Sequence, residues 1–363
     1  MATWNKIQKL TESGIMVEMP APTIISASRS TDIPAFYSDW FFKRLELGYS
    51  TWTNPFNGVP SYVAYDLVRF IVFWSKNPEP LFKYFPILEQ RNIKCYIQFT
   101  LNDYKGLGQK EEELERRIPP VEKRIDTFKR LVAYLGKGAV VWRFDPLILT
   151  DNISIDTLLE KIAYIGDQLK NDTEKLVFSY ADIGIYRKVK HNMDKSGIPY
   201  HEWTDELKIT FAEKLSALNR QKGWNFELAT CTEGIDLSNY GIAHNRCVDA
   251  DLITRLAYTD KTLIDFMGVK IETIPMQMDL FSGEPAMPEG AILLPNNLYF
   301  ISKHKKDKGQ RQYCDCMVSK DIGEYNTCPF RCEYCYANTS KELAAENYKR
   351  HKENPNAETI TGR

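Results

Sequence analysis

The sequence of 363 residues lacks a strong charge of either sign and lacks long apolar runs. Its formal net charge of −1 provides no overall electrostatic signature for nucleic-acid binding, so only a local basic patch would favour that function. No stretch of about 18 uncharged apolar residues predicts a transmembrane helix, and Met1–Pro20 lacks the apolar core of a signal peptide. We therefore expect a cytoplasmic protein with no membrane partner.

Eight cysteines are the most informative residues that are present. In the reducing cytosol, thiols serve metal binding or catalysis more often than disulfides. Three of them, Cys328, Cys332 and Cys335, follow one another with C-x3-C-x2-C spacing. Short cysteine runs with fixed gaps hold iron–sulfur clusters, and three protein thiolates would leave one iron of a [4Fe–4S] cluster open. A structural zinc or iron–sulfur knuckle is the alternative.

The other five cysteines divide into four and one. Cys95 lies in an apolar run and is predicted to be a core residue. We predict that Cys231, Cys247, Cys314 and Cys316 form a second metal site, either a fully ligated cluster or structural zinc. Cys314 and Cys316 are two residues apart, so on a strand both would face one side. The alternative is that some of the four are simply buried thiols.

The pattern of apolar residues predicts the fold class. Within residues 23–352, apolar runs of about five residues alternate with helical segments of about 10–18 residues as far as Cys231, and the pattern weakens from Asp249 to Gly309. This alternation is typical of βα units and a mainly parallel sheet. We predict an α/β fold with a single, mainly parallel (β/α) barrel, complete or partial, over these residues. A doubly wound open sheet is the alternative. Tyr313–Val318 is predicted to be one of the strands.

The segments outside this pattern are predicted to be peripheral. Residues 1–22 should form an N-terminal extension, and residues 353–363 should form a flexible tail. We expect excursions from the barrel near residues 102–120 and 270–310. The charged run Glu111–Glu115 in the first excursion is predicted to be solvated.

The cysteine spacing, with the aromatic Tyr334 just before the third cysteine, resembles the motif of the radical S-adenosylmethionine superfamily. In that family the open iron binds S-adenosylmethionine, an electron from the cluster releases a 5′-deoxyadenosyl radical, and the aromatic residue packs against the adenine. The resemblance implies an iron–sulfur enzyme with a [4Fe–4S] cluster and S-adenosylmethionine as cofactors. It also implies an electron donor such as flavodoxin or ferredoxin.

Other motifs resemble the spore photoproduct lyase branch of the superfamily. They are Trp74-Ser75-Lys76, Arg143-Phe144-Asp145-Pro146 and Phe178-Ser179-Tyr180. In that branch the cysteine loop comes first, whereas here it comes last, as a circular permutation of the barrel would place it. The chain is also similar to an uncharacterised bacterial family with such cysteines near the C-terminus. The branch implies a small-molecule or nucleotide substrate, with nucleic acid as a further candidate. The Gly-Gly-Glu element of many members is absent, so the resemblance does not place the amino-group contact of S-adenosylmethionine.

Polar residues at the predicted strand ends are candidates for the site, since active sites in parallel α/β folds lie at the carboxyl ends of strands. Arginine and lysine would neutralise the cofactor carboxylate or a substrate phosphate, acidic residues would bind ribose hydroxyls or an amine, and tyrosines would relay a hydrogen atom or proton. The predicted catalytic residues are Lys76, Arg143, Asp145 and Tyr180. The predicted cofactor-binding residues are Tyr334, Tyr336, Arg29, Asp32 and Glu233. Each also has a local alternative as a helix cap or turn residue.

Two further functions remain as alternatives. One is a non-radical iron–sulfur or zinc protein, with structural cysteines and a nucleotide-like ligand in the barrel. The other is a nucleic-acid-binding module that uses the basic run Lys303–Arg311, although such a run is more often a solvated loop.

Overall fold

The computed structural model describes residues 4–54, 57–276 and 287–363. Within these ranges the strands are, in chain order, β1 (Asn5–Leu10), β2 (Met16–Ala21), β3 (Ile24–Ala27), β4 (Tyr49–Thr53), β5 (Pro60–Ala64), β6 (Phe70–Ser75), β7 (Lys94–Thr100), β8 (Val140–Leu147), β9 (Leu149–Thr150), β10 (Lys175–Tyr180), β11 (Tyr200–His201), β12 (Glu227–Thr230), β13 (Ile242–His244), β14 (Ile271–Thr273), β15 (Ala291–Leu294), β16 (Leu298–Ile301) and β17 (Lys320–Asp321). The α-helices are α1 (Ile33–Phe36), α2 (Ser38–Leu47), α3 (Phe85–Gln90), α4 (Val121–Leu135), α5 (Ile155–Leu169), α6 (Arg187–Ser196), α7 (Asp205–Gln221), α8 (Ala250–Ala257), α9 (Lys261–Met267) and α10 (Lys341–Glu353).

The central element is an eight-stranded sheet with the order β13-β12-β10-β8-β7-β6-β3-β17. Every neighbouring pair in this sheet is parallel. The prediction of a mainly parallel α/β fold is therefore confirmed. In the described residues the two edge strands, β13 and β17, are not paired with each other, so strand pairing leaves an open seam between them. The sheet is consistent with a partial barrel.

The apolar strands supply both faces of this sheet, because successive side chains along a strand point to opposite sides. In β6, Ile71 and Phe73 belong to the larger core, which packs against helices such as α4 and α5. Phe70 and Val72 belong to a second core that packs against α8 and α9. Side-chain N-caps begin several of the surrounding helices. At the start of α5, for example, the Ser154 hydroxyl accepts from the backbone N–H of Thr157.

The last strand of the chain lies beside the first strand of the main sheet. Lys320 and Asp321 of β17 pair in parallel with Ile25 and Ser26 of β3. The predicted strand at Tyr313–Val318 is wrong, because these residues form an irregular segment just before β17. The short β17 is nevertheless enough to direct the following cysteine loop to the carboxyl end of the sheet.

Two polar segments are better packed than expected. Glu111–Glu115 forms a 3-10 helix in which Glu111 and Glu115 are only 1% and 3% exposed, so the prediction of a solvated run is wrong. The tail 353–363 makes contacts with the rest of the fold: Ile360 is fully buried, and the backbone carbonyl of Ala357 accepts from the indole N–H of Trp40 at 2.9 Å.

The remaining strands lie outside the parallel sheet. The N-terminal extension contains the antiparallel pair β1–β2, and β4 pairs with β5 in a second antiparallel hairpin. The predicted excursion near residues 270–310 contains a three-stranded antiparallel sheet, β14-β16-β15, although residues 277–286 of it lie outside the described ranges. None of the helices described is both long enough and apolar enough to cross a membrane.

Candidate functional site

A cavity of about 330 Å³ lies at the carboxyl ends of the parallel strands. Seven of the eight cysteines line it; Cys95 lies instead in the larger core. All nine predicted catalytic and cofactor-binding residues also line it, namely Arg29, Asp32, Lys76, Arg143, Asp145, Tyr180, Glu233, Tyr334 and Tyr336. The fold thus brings the strand-end residues and both sets of cysteines to a single cavity.

Contacts with the first strand of the sheet hold the three-cysteine loop in place. Asp321, at the end of β17, accepts from the Ser28 hydroxyl at 2.8 Å and from the backbone N–H groups of Arg29 and Gly323 at 2.9 and 3.0 Å. Position 323 requires glycine, because a Cβ atom there would lie 1.9 Å from the Ser28 hydroxyl oxygen. Farther along the loop, Tyr336 donates to the backbone carbonyl of Arg29 at 2.7 Å. The loop is therefore docked on the end of β3.

A buried ion pair supports Tyr334. Lys76, at the end of β6, donates to Glu115 at 2.7 Å and to the Tyr334 phenol at 2.9 Å, and the phenol in turn donates to Glu115. Burial lowers the pKa of Lys76, but the Glu115 carboxylate outweighs this effect and raises the pKa overall. Burial raises the pKa of Glu115, but Lys76 and then Arg124 outweigh it and lower the pKa. Both partners of the pair are therefore charged.

Asp32 ties two strand ends together. Its carboxylate accepts from the Ser75 hydroxyl and the backbone N–H of Lys76, both at 2.7 Å, and from the backbone N–H of Ala35 at 3.0 Å. Burial raises its pKa to about 6. Its bond from the backbone N–H of Ala35 caps the start of α1, so Asp32 is a helix cap, as the local alternative predicts, and it also lines the cavity.

Arg143 and Asp145 form a second buried pair, at the end of β8. Arg143 bonds to Asp145 through both Nε and Nη2, and Asp145 also accepts from the Ser179 hydroxyl. Burial raises the pKa of Asp145, but the Arg143 guanidinium outweighs it and lowers the pKa overall. The remaining donor of Arg143, Nη1, contacts Gln98 at 3.2 Å and the sulfur of Cys247 at 3.1 Å. Arg143 therefore connects Asp145 to the second set of cysteines.

The phenol of Tyr180 is engaged away from the cysteines, donating to the backbone carbonyl of Lys208 in α7 at 2.9 Å. Burial raises the pKa of Tyr180. Its backbone N–H donates to Glu233 at 3.0 Å, and Glu233 also pairs with Lys208 at 3.4 Å. Burial raises the pKa of Glu233 to about 7. These side chains form one wall of the cavity.

The second set of cysteines comes together from three separate segments. The sulfur atoms of Cys231 and Cys247 are 3.4 Å apart. The thiol of Cys247 also interacts with that of Cys316, and the thiol of Cys316 with that of Cys314. The backbone N–H of Val248 donates to the Cys316 sulfur at 3.4 Å. The four predicted partners therefore form a continuous chain of sulfur contacts.

The donor chemistry at the three-cysteine loop fits an iron–sulfur group. Burial raises the pKa of Cys328, Cys332 and Cys335, with Cys332 reaching about 12, so the metal-free sulfurs are thiols that a bound metal would deprotonate. No three His, Cys, Asp or Glu side chains in the described ranges surround one point as ligands of a single ion. A cluster does not need that arrangement, since each thiolate binds a different iron. Beside the second set of cysteines, the Nε of Arg29 is buried without a hydrogen-bond partner in the described structure.

A comparison with protein families identifies the chain. The model described as Domain of unknown function (DUF1848) matches residues 24–337. The chain belongs to this family. The DUF1848 match runs from the first residue of β3 to just beyond Tyr336, so it includes the whole parallel sheet and both sets of cysteines. No curated protein and no solved structure matches the chain.

Several residues of the DUF1848 site were not predicted from the sequence. Glu115 was hidden within a run of glutamates, where nothing local distinguishes it from its exposed neighbour Glu112. Asp321 lies in a two-residue strand too short to give an apolar pattern. Ser179 lies inside the motif Phe178-Ser179-Tyr180, but the sequence predicts no role for it. No local signal would have found Asp321, because Lys320-Asp321 contains no apolar residue that would predict a strand.

Proposed function

We propose that this protein is an iron–sulfur enzyme of the radical S-adenosylmethionine type. The observation that carries the proposal is that Cys328, Cys332 and Cys335 face the same cavity as Lys76 and the other strand-end residues. An enzyme of this type needs its cluster loop and its substrate-binding residues at one site. The cavity meets that need although these residues are far apart in the chain.

When bound, a [4Fe–4S] cluster with three protein thiolates would hold S-adenosylmethionine at its fourth iron and supply the electron that cleaves it to a 5′-deoxyadenosyl radical. The residues of this chain would hold and shape that site. Lys76 and Glu115 fix the ring of Tyr334 through its hydroxyl, which sets where an adenine ring would pack. Tyr336, held by the Arg29 carbonyl, fixes the far end of the loop.

We further propose that the barrel is circularly permuted. In this arrangement β17 and the loop after it correspond to the first strand and first loop of the related barrels. Supporting this, β17 lies directly beside β3, and β3 is followed across the sheet by β6, β7 and β8 in chain order. The cluster loop, although last in the chain, would then occupy its usual place in space.

The proposed substrate is a small molecule or a nucleotide, with nucleic acid as a larger alternative. Arg29 and Arg311 lie in the cavity wall together with Asp182 and Glu233, so the wall offers cations for a phosphate and carboxylates for an amine or hydroxyl. Arg311 is the last residue of the basic run, which therefore reaches the cavity. We propose a reducing cytosol as the working compartment and a flavodoxin or ferredoxin as the electron donor.

The test uses anaerobically purified, iron-loaded protein reduced in the presence of S-adenosylmethionine. We expect 5′-deoxyadenosine and methionine as products, and an electron paramagnetic resonance signal that changes when S-adenosylmethionine is added. Cys328→Ala should abolish both results, whereas the matched control Cys95→Ala removes a core thiol and should preserve them. An intact reduced cluster that leaves S-adenosylmethionine uncleaved and its own spectrum unchanged would reject the proposal.

That negative result would favour the alternative, a non-radical iron–sulfur or zinc protein with a nucleotide-like ligand in the cavity. The close packing of the loop against β3 is the observation in its favour, since a structural metal site also holds loops in place. Under this alternative, Cys328→Ala would chiefly lower the stability of the fold.

A further inference from the structure

The seam between β13 and β17 is bridged by side chains rather than by strand pairing. Cys231 directly follows β12, and Cys247 lies in the loop after β13, so both belong to one edge of the sheet. Cys314 and Cys316 lie in the segment that leads into β17, at the opposite edge. The four thiols meet across the seam, with the Cys231 and Cys247 sulfurs 3.4 Å apart and the Cys316 thiol against that of Cys247.

Backbone contacts show that the two edges approach each other at these cysteines. The backbone N–H of Met317 donates to the carbonyl of Val248 at 3.0 Å, and the N–H of Val248 donates to the Cys316 sulfur at 3.4 Å. The carbonyl of Cys247 accepts from the Tyr96 hydroxyl at 2.5 Å and from the Gln98 amide at 3.0 Å. Central strand β7 therefore holds the loop that presents Cys247.

Two N–H donors point at the sulfur of Cys247, as they would at a metal-bound thiolate. The sulfur of a neutral thiol is a weak acceptor, but here Cys247 receives the Arg143 guanidinium at 3.1 Å and the Asn245 amide at 3.3 Å. Arg29 also lies near Cys316, Cys247 and Cys314. In the described residues its guanidinium donates to Gln310 at 3.0 Å and to Ser319 at 3.4 Å, and the Asp321 carboxylate also lies near it. Four thiolates on a divalent metal core keep a net charge of about −2. Arg29 would offset part of this charge, whereas the charge of Arg143 is already paired with that of Asp145.

We infer that Cys231, Cys247, Cys314 and Cys316 hold a second metal centre, which closes the seam of the barrel with four thiolates. Four thiolates from this chain would occupy all the ligand positions of the centre and leave none open to a substrate. The centre is therefore structural, in contrast to the open site at the three-cysteine loop. Four thiolates are the ligands of both a single Zn²⁺ and a [4Fe–4S] cluster. In the described ranges no three such side chains surround one point as ligands of a single ion, which favours the cluster. The inference does not depend on the proposed radical function.

The test is a metal inventory of three variants of the full chain, purified anaerobically. In wild-type protein we expect about four iron and four sulfide per chain for the loop, plus either about one zinc or a second set of iron and sulfide. Cys314→Ala/Cys316→Ala should lose the additional metal only. Cys328→Ala/Cys332→Ala/Cys335→Ala should lose the loop cluster and keep the additional metal, whose identity separates zinc from an iron–sulfur cluster. Cys95→Ala should match the wild type.

A second readout follows the seam itself. Hydrogen exchange at residues 245–250 and 314–322 should rise in Cys314→Ala/Cys316→Ala and stay unchanged at the β1–β2 hairpin. If Cys314→Ala/Cys316→Ala does not fold, the triple loop variant and native mass spectrometry of the wild type decide the matter. Three results would each overturn the inference. One is a triple loop variant that contains no metal, and another is a wild-type protein that contains no metal beyond one cluster. The third is a disulfide between Cys231 and Cys247 in protein that has been kept reduced.

Discussion

The two sets of cysteines face one cavity but are built in different ways. Cys328, Cys332 and Cys335 lie within eight consecutive residues, on a loop docked against β3. The other four come from three separate segments and meet only because the two edges of the sheet approach each other. A local loop can present ligands and still leave one position open, whereas ligands from both edges of a seam hold those edges together. The difference suggests one chemical site and one structural site.

The largest expected effect tests this division directly. Cys332→Ala should lower cleavage of S-adenosylmethionine by at least about 100-fold, because loss of a ligand exceeds the usual effect of its supporting residues. Its urea midpoint should stay close to that of the wild type. Cys314→Ala/Cys316→Ala should instead have a clearly lower urea midpoint than the wild type and should retain the loop cluster. If the two variants behave alike in both assays, the comparison fails.

The second prediction concerns the buried pair beneath the loop. Lys76→Met should destabilise the fold by about 3–5 kcal/mol, because it removes the ammonium that pairs directly with the buried Glu115 carboxylate. The double variant Lys76→Met/Glu115→Leu should be less destabilised than Lys76→Met alone, since it leaves no unpaired carboxylate, and Arg124 keeps its hydrogen bonds to the carbonyls of Pro119 and Asn102. Urea unfolding of the wild type and the variants measures both effects. Losses that simply add would show that the pair is not coupled.

A smaller effect is expected from the side-chain amides that donate to the two sets of cysteines, Asn245 at the seam and Asn338 at the loop. Asn245→Ala removes a donor to the Cys247 sulfur and should cost about 1 kcal/mol, with roughly 10-fold weaker retention of the metal at the seam. Asn338→Ala removes a donor to the backbone carbonyl of Cys328 and should leave the seam metal unchanged. Metal release to a competing chelator, measured for both variants, distinguishes them. If both variants released the seam metal equally fast, the two metal centres would not be independent.

The smallest effect concerns Lys320 in β17, the strand between the two sets of cysteines. Its ammonium lies 3.5 Å from the ring centre of Trp52, and burial lowers its pKa from 10.5 to about 8. Since the unfolded chain binds this proton more tightly, the stability of the folded protein is reduced below pH 8 and recovers as the pH rises toward 10.5. Lys320→Met should remove this penalty.

The advantage of Lys320→Met over the wild type should therefore be greatest near neutral pH and fade in alkali. Urea midpoints of both proteins across that pH range measure it. A difference that does not change with pH would mean that Lys320 is not held in a desolvated position, and that β17 is packed less tightly than the structure has it.

Much of the fold could be predicted from local patterns. The apolar runs 70–74 and 93–101 predict strands, and the periodic segments 121–135 and 155–170 predict helices. The structure has β6, β7, α4 and α5 close to these positions, because a strand buried on both faces and a helix buried on one have distinct periods. The predicted strand Tyr313–Val318 failed because its apolar residues, among them Met317, pack against the second core without pairing with a neighbouring strand. Burial alone does not make a strand.

The candidate site was predictable to the extent that its parts are local. The sequence by itself determined the spacing of Cys328, Cys332 and Cys335 and the polar residues after each strand, because both depend on neighbours in the chain. Only the tertiary structure decided that Glu115 would lie buried against Lys76 and Tyr334, that Asp321 would anchor the loop to Ser28, and that four distant cysteines would meet across the seam. These contacts join residues far apart in the chain, and they exist because parallel strands end at one edge of the sheet and carry their next residues to the same cavity.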